Sequence, residues 1–321
     1  MKIVKAALVA ASVALAAPAF AQQQLSVATG GTGGVYYPIG GGLAELINRH
    51  LDGYSAVAEV TGASVENVAL VHRGDSDIAI GLGDSVYQGY TGTGQFEGRQ
   101  AASMRVLASV YPNAVQIVVP ADSAIQSIED LRGKRVSVGA PGSGTELNSR
   151  ALLQAVGMSY EDLAAAQRLN FNETADALRD NDIDAGIWSV GPPTSSIMNL
   201  AATRNIRLIP VSEEQVAAAR EIEPIFAPYT LPSGIYDGVS EDVGTVGIPN
   251  VWFVSEEMDD DLAYEITKLI YDRHADLVAI HPAANDTTVE FTMASSPVPL
   301  HPGALRYYEE IGADIPDHLR P

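Results

Sequence analysis

The chain contains no cysteine. That excludes disulfide staples, thiolate metal sites and a lipid-modified N-terminal cysteine anchor. Lysine is scarce: beyond Lys2 and Lys5 only Lys134 and Lys268 occur, against fifteen arginines. With 40 acidic residues the net charge is −21, a field that repels nucleic acid and anionic lipid. The six histidines, His50, His72, His274, His281, His301 and His318, show no metal-ligand spacing. No G-x-S-x-G elbow frames Ser143, because Pro141 and Thr145 stand where its outer glycines would be. Past residue 21 no run approaches the ~20 apolar residues of a membrane span. Neither a catalytic pair nor a metal or cofactor is expected from these absences.

What is present begins with a targeting segment. Lys2 and Lys5 precede an apolar stretch, Ala6 to Ala17, and Ala19-Phe20-Ala21 forms an A-x-A cleavage site. Residues 1–21 therefore read as a secretory signal peptide, and the remaining chain as an exported protein. Without disulfides, such a chain rests on its core, and ~300 residues suffice for two domains. A protein exported without an anchor is most useful where an outer membrane retains it, so the expected compartment is a bacterial periplasm.

Two glycine-rich turns dominate the rest. Ser137-Val138-Gly139-Ala140-Pro141-Gly142-Ser143-Gly144-Thr145 runs from a strand (135–138) into a helix (145–156), which Gly157 caps. A helix start leaves about four N–H groups unpaired and carries about half a positive charge. Glycines let an anion approach them. No lysine follows, unlike a P-loop, so a small carboxylate is favoured over a nucleotide. Earlier, the strand 25–29 leads through Gly30-Gly31-Thr32-Gly33-Gly34-Val35-Tyr36-Tyr37-Pro38 into a helix whose apolar face is Ile39, Leu43, Leu46 and Ile47. Val35 or Tyr36 stands where a dinucleotide fingerprint has its third glycine. Two such cradles suggest a ligand held from both sides.

Strands are expected at 55–60, 77–81, 105–110, 115–119, 167–171, 184–189, 206–211 and 246–254. Helices are expected at 38–51, 64–73, 172–180 and 193–203, with one long helix from Asp259 to about Ile280 and a loop over 224–238. This alternation predicts mainly parallel α/β layers with ligands at the strand C-termini.

The segments ATGGTGGVYYPIGGGLAELI (28–47), TGASVENVALVHRGDSDIAI (61–80), SVYPN (109–113), IEDLRGKRVSVGAPGSGT (128–145), DIDAGIWSVGPPTSSI (182–197) and PLHPGALRYYEEIG (299–312) span most of the chain. On them the chain resembles the TAXI-type periplasmic solute-binding proteins that serve TRAP transporters. The resemblance implies an α/β clamshell of the two-lobe, type II-like periplasmic class with two hinge strands near 112–119 and 246–252. Lobe I would be 22–112 plus 250–321, and lobe II 115–247. It implies a small carboxylate, such as glutamate or a related C5 acid, held on backbone N–H groups. The partner implied is a TRAP permease, and the default state a monomer with no cofactor.

Residue by residue, the resemblance carries over Thr32, Gly33, Val35 and Tyr36 from the first cradle, and Gly142, Ser143, Gly144 and Thr145 from the second. Tyr111, Trp188 and the Gly191-Pro192-Pro193 turn are placed along the cleft, Trp188 alternatively in the core. Asn67 either reaches the ligand or braces the first cradle. Asp84 caps a helix or meets a ligand amine. Two positions depart from the family pattern: Leu82 replaces a glutamine, and Asn113 replaces an acid. Leu82 would leave a polar ligand group unpaired, at ~1–3 kcal/mol, so a ligand less polar than glutamate is expected: a keto-, hydroxy- or partly apolar acid. The alternatives are a ligand-sensing module for a membrane receptor and a periplasmic enzyme.

Overall fold

The protein is described by a computed structural model over residues 22–321, and the signal peptide expected at 1–21 lies outside the described residues. The first strands are β1 (Gln23–Ala28), β2 (Tyr54–Glu59) and β3 (Ile78–Leu82), and β4 (Met104–Pro120) follows them. Next come β5 (Arg135–Ser137), β6 (Ala165–Gln167), β7 (Ala185–Val190), β8 (Ile206–Ile209) and β9 (Ala227–Leu231), closed by β10 (Val243–Ser255). The helices between them are α1 (Tyr36–His50), α2 (Ser64–Arg73), α3 (Gly83–Thr91), α4 (Gly144–Ala155), α5 (Phe171–Arg179), α6 (Ser195–Ala201) and α7 (Glu213–Ile222). The C-terminal segment is helical: α8 (Asp260–Asp272), α9 (His274–Ile280), α10 (Val289–Ser295) and α11 (Pro302–Glu310).

The strands run in the order β2-β1-β3-β10-β4-β7-β5-β6, with β8 on β4 and β9 on β10. Pairings among β1–β3 and among β5–β7 are parallel, as βαβ crossovers require. Every pairing of β4 or β10 with another of these strands is antiparallel. These two long strands belong to both halves: Met104 to Pro112 pairs in the first, Ala114 to Pro120 in the second. At the crossing Pro112 faces Pro249, and the register shifts just beyond. Neither proline can donate a ladder hydrogen bond, so the ladder lacks two donors where it changes lobes.

Apolar packing crosses this division, since the larger cluster also takes in Leu178, Ile206, Leu208 and Tyr236 from the second half. One buried cluster gathers Val27, Ile39, Leu43, Ile80, Leu107 and Trp252 under the first lobe and reaches Trp188 and Ile197. The other gathers Val115 and Ile117 of β4 with Val136, Leu152, Ile187 and Ile248, and includes Leu82 from the first lobe. Burying each such side chain is worth about 1.5–3 kcal/mol.

Several elements differ from expectation. The segments 105–110 and 115–119 are one strand, because β4 stays paired with β10 through Pro112, Asn113 and Ala114 and from Ala114 also pairs with β7. The strand expected at 167–171 ends at Gln167; Asn170 instead opens α5 with a capping box, its side chain accepting from Asn172 N and Glu173 N. The expected loop at 224–238 contains β9, paired on the edge of β10. The long terminal helix breaks at Arg273 into α8 and α9. Helices α3, α7, α10 and α11 have no counterpart among the expected elements. Among the described residues no helix is long and apolar enough to cross a membrane.

Candidate functional site

A cavity of about 160 Å³ lies between the two glycine-rich turns, with Gly30, Gly34, Val35 and Tyr36 on one side and Ala140, Ser143, Gly144 and Thr145 on the other. Three helices begin at its wall. Helix α1 starts at Tyr36 behind Val35, whose side chain offers no cap. Helix α2 starts at Ser64, also without a side-chain cap. Helix α4 starts at Gly144, and its N-cap Ser143 accepts from Glu146 N at 3.1 Å. Three positive helix ends thus converge on one small space. Among the described residues, no Asp, Glu, Lys, Arg or His lines it.

Hydrogen bonds cross between the two lobes beside the cavity. Gly142, at φ +77°, turns its carbonyl across the cleft to accept from Val65 N and Glu66 N, each at 3.1 Å. The second cradle therefore caps α2 of the opposite lobe. Gly144 is there for space: a Cβ would overlap Leu82 Cδ1 and come within 3.0 Å of Ser64 Oγ. Across the first cradle, Asn172 Nδ2 reaches Thr32 Oγ1 at 3.4 Å and Ser195 Oγ donates to Gly33 O at 3.3 Å.

A directional relay runs beneath the cavity through both crossing strands. The Tyr36 hydroxyl donates to Asn250 Oδ1. Asn250 Nδ2 donates to Asn113 Oδ1 and to Tyr111 O, both at 2.8 Å. Asn113 Nδ2 donates to Ser189 O at 2.8 Å, and Ser189 N donates to Thr145 Oγ1 at 3.3 Å. The start of α1 is so joined to the start of α4. Burial drives the Tyr36 phenol far above its ordinary range, so it stays a neutral donor. Ser189 lines the cavity, and its buried hydroxyl has no partner among the described residues.

Of the residues singled out in the sequence, Val35, Tyr36, Leu82, Ser143, Gly144 and Thr145 line the cavity. Thr32, Gly33 and Gly142 lie in the turns but spend their visible contacts on the opposite lobe. Asn67 braces: its Nδ2 donates to Thr29 O at 2.7 Å and Ile80 O at 2.8 Å, and its Oδ1 accepts from Thr61 Oγ1. Trp188 is fully buried, stacked on Phe171 with ring centroids 6.3 Å apart, its Nε1 on Ser196 Oγ. Tyr111 is fully buried against Gly191, and its hydroxyl is unpartnered. Gly191, Pro192 and Pro193 form the turn behind, where His281 Nε2 meets Pro193 O at 3.1 Å. Asp84 takes Ser85 N on its carboxylate and also the amide of Asn148 from α4 across the cleft.

Sequence reading missed Thr61, Ala63, Ser64, Asn170, Phe171, Ser189 and Val190, all of which line the cavity. Ala63 carries the clearest signal in the structure, a non-glycine at φ +80°, ψ −145°, strain of about 1–3 kcal/mol held at the start of α2. Nothing in the residue letters marks it. Asn170 was findable, since Asn170-Phe171-Asn172-Glu173 spells a capping box. Among the described residues, no cluster of three or more His, Cys, Asp or Glu side chains is placed to hold a metal ion.

Solved structures share this architecture. One described as "Putative L-Cystine ABC transporter from Listeria monocytogenes" is 16% identical, covering 84% of this chain and 99% of its own, with a TM-score of 0.52. PhnD1 from Prochlorococcus marinus, solved with methylphosphonate, is 12% identical over 82% of this chain and 90% of its own, with a TM-score of 0.54. At these identities the likeness is one of fold, the two-lobe α/β fold of solute-binding proteins. A family model matches residues 27–312, nearly the whole described chain, and on that match the protein belongs to the NMT1-like family.

Proposed function

We propose that the protein is a periplasmic solute-binding protein that captures a small organic carboxylate and hands it to a TRAP-type permease, as a monomer and without chemistry. One observation carries this reading: three helix N-termini, that of α1 with neither a side-chain cap nor an acid in its first turn, surround a cavity with no charged side chain in its lining. Such a site attracts one anion and offers it backbone donors without the reorganisation a flexible side chain would need. Val35, Tyr36, Leu82, Ser143, Gly144 and Thr145 would contact the ligand, and Thr32, Gly33 and Gly142 would latch the lobes over it. The moving bodies would be 22–112 plus 250–321 and 115–247, turning about the Pro112–Pro249 crossing. A ligand touching both lobes stabilises the closed state by its differential affinity for it.

A thermal-shift screen of organic acids, amino acids, sugars and amines tests the reading. A ligand at ~1,000 times its Kd adds ~4 kcal/mol, and at ~2–4 °C per kcal/mol the shift is plain. Shifts confined to acids support it, and a shift from sugars or amines alone refutes it. The TRAP partner rests on the quoted sequence segments. The fold shared with the Listeria protein supports an ABC permease as the second reading. Uptake that collapses with the ion gradient but ignores ATP depletion favours the first, and the reverse favours the second.

A further inference from the structure

Two acids lie in the seam between the lobes, one contributed by each lobe: Asp84 at the start of α3 and Glu223 just past α7. Their bonds are reciprocal. Asp84 accepts from the Asn148 amide of α4 in the second lobe, and Glu223 accepts from Gln88 Nε2 of α3 in the first, at 2.6 Å. Each lobe thus offers a carboxylate to a neutral amide of the other.

Charge is not balanced there. Asp84 is 1% exposed, and its other oxygen accepts from Ser85 N and Ser85 Oγ. Strands β3 and β10 and the turn at 94–96, all packed on α3, carry no titratable side chain. On β4, Arg105 is tied to Glu256 and Tyr111 is buried. On α2, Glu66, His72 and Arg73 are exposed, and on α4, Glu146 is paired with Arg168 and Arg150. Along α7, Glu213, Glu214, Arg220 and Glu221 are exposed. The Tyr36 phenol feels the Asp84 charge and stays neutral. The groove that Asp84 and Glu223 line with Arg220 also takes in Tyr87, Tyr229 and His318. Among the described residues no ion pair joins either carboxylate to a cation.

Keeping both groups ionised in this seam costs solvation that two amide donors do not replace. Burial accordingly pushes Asp84 up to about 6 and Glu223, with the Asp84 charge as a smaller cause, up to about 7. The seam can also receive a proton. Asn148 is fully buried and its Oδ1 has no partner, so once that amide turns over it accepts from a protonated Asp84. Parting the lobes would return both carboxyls to water, where ordinary values near 4 apply.

We propose, resting on the lobe movement set out above, that closure is proton-linked: Asp84 and Glu223 bind protons as the lobes shut, so acid favours the closed, ligand-holding form and alkali weakens it. Each carboxyl takes one proton from solvent on closing and gives it back on opening. The advantage of the closed form is complete below about pH 4 and is lost as pH rises through about 6 and about 7.

The absence of native cysteine permits a direct test with spin labels. Nitroxides on His72→Cys near the end of α2 and Gln154→Cys near the end of α4, one on each lobe, report the lobe separation by double electron–electron resonance. In protein freed of ligand by unfolding and refolding, the closed-to-open ratio is expected to fall at least about tenfold from pH 5 to pH 8. Asp84→Asn combined with Glu223→Gln should hold one ratio across that range. Should the double variant unfold, each single variant is expected to remove the response of its own carboxyl, near pH 6 for Asp84→Asn and near pH 7 for Glu223→Gln. A full response in the substituted proteins would assign it to other groups and overturn the proposal. A wild-type ratio that ignores pH, yet shifts with glutarate or pentanoate at pH 7.5, would overturn the proton linkage and leave lobe closure standing. One fixed separation under every condition would overturn both.

Discussion

Two polar junctions join the lobes, and they treat charge in opposite ways. At the cavity every wall residue is uncharged, and three helices begin at its wall. One turn further along α4, the seam buries acids instead. Asp84 at the start of α3 accepts from Asn148 of α4, and Gln88 of α3 donates to Glu223, just past α7, at 2.6 Å. Neither carboxylate has a cationic partner there. Burial pushes Asp84 up to about 6 and, with the Asp84 charge nearby, Glu223 up to about 7. The cavity wall is thus free of charge, while the seam carries charges it cannot solvate well. The first junction would then set which molecule is held, and the second how firmly the lobes shut at a given pH.

The sharpest test of the cavity's part is Gly144→Leu. Its side chain would occupy the space now filled by Leu82, so carboxylate binding should fall more than 100-fold by calorimetry while far-UV circular dichroism stays native. Wild-type affinity in that variant would dissolve the comparison. Asn113→Ala cuts the relay and leaves the Asn250 amide and Ser189 O short of a partner. The expected loss is about 1–3 kcal/mol of stability in urea unfolding, with a weaker ligand shift on top.

For the seam the sign is set by linkage. Both acids titrate higher in the folded protein than in the unfolded chain, where ordinary values near 4 apply. The folded state therefore holds more protons, so stability falls as pH rises from about 4 to about 7, and the full contribution is present only below that window. Asp84→Asn should flatten the Asp84 part of this fall and raise stability at pH 7.5 by on the order of 1–2 kcal/mol. The unpaired Asn148 Oδ1 would accept from the new amide once the Asn148 side chain turns over. Melting temperatures across pH 4.5–7.5 read this directly, and an unaltered slope in the variant would count against it. Glu223→Gln is the smallest effect, a few tenths of a kcal/mol at pH 7.5, because Glu223 is nearer to solvent and screening weakens its charge.

Much of the architecture was legible in the letters. Apolar spacing marked α1 and α2, Gly157 marked the end of α4 at φ +68°, and two glycine-rich turns marked the two sides of the cavity. Less legible was anything set by pairing across the chain. Segments on either side of Pro112 read as two strands, since a proline locally signals a stop, yet both halves find partners and form one. Trp188 shows the same limit at the site: an aromatic before a turn suits a ligand wall as well as a core, and only the fold shows it fully buried and stacked on Phe171.

By itself the sequence determined the local chemistry: two strand-turn-helix cradles, a lobe-building βαβ rhythm, an acidic composition and the absence of thiols. These depend on near neighbours in the chain, where periodicity and turn preferences act. Only the tertiary structure decided that Gly142 caps a helix of the other lobe and that Asn113 and Asn250 pair at the crossing. It alone strained Ala63, orphaned the Ser189 hydroxyl and set Asp84 beside Asn148. Each of these joins residues tens to hundreds of positions apart or depends on such contacts. Hydrogen bonding and burial are settled by which atoms meet in space, and no local pattern encodes that meeting.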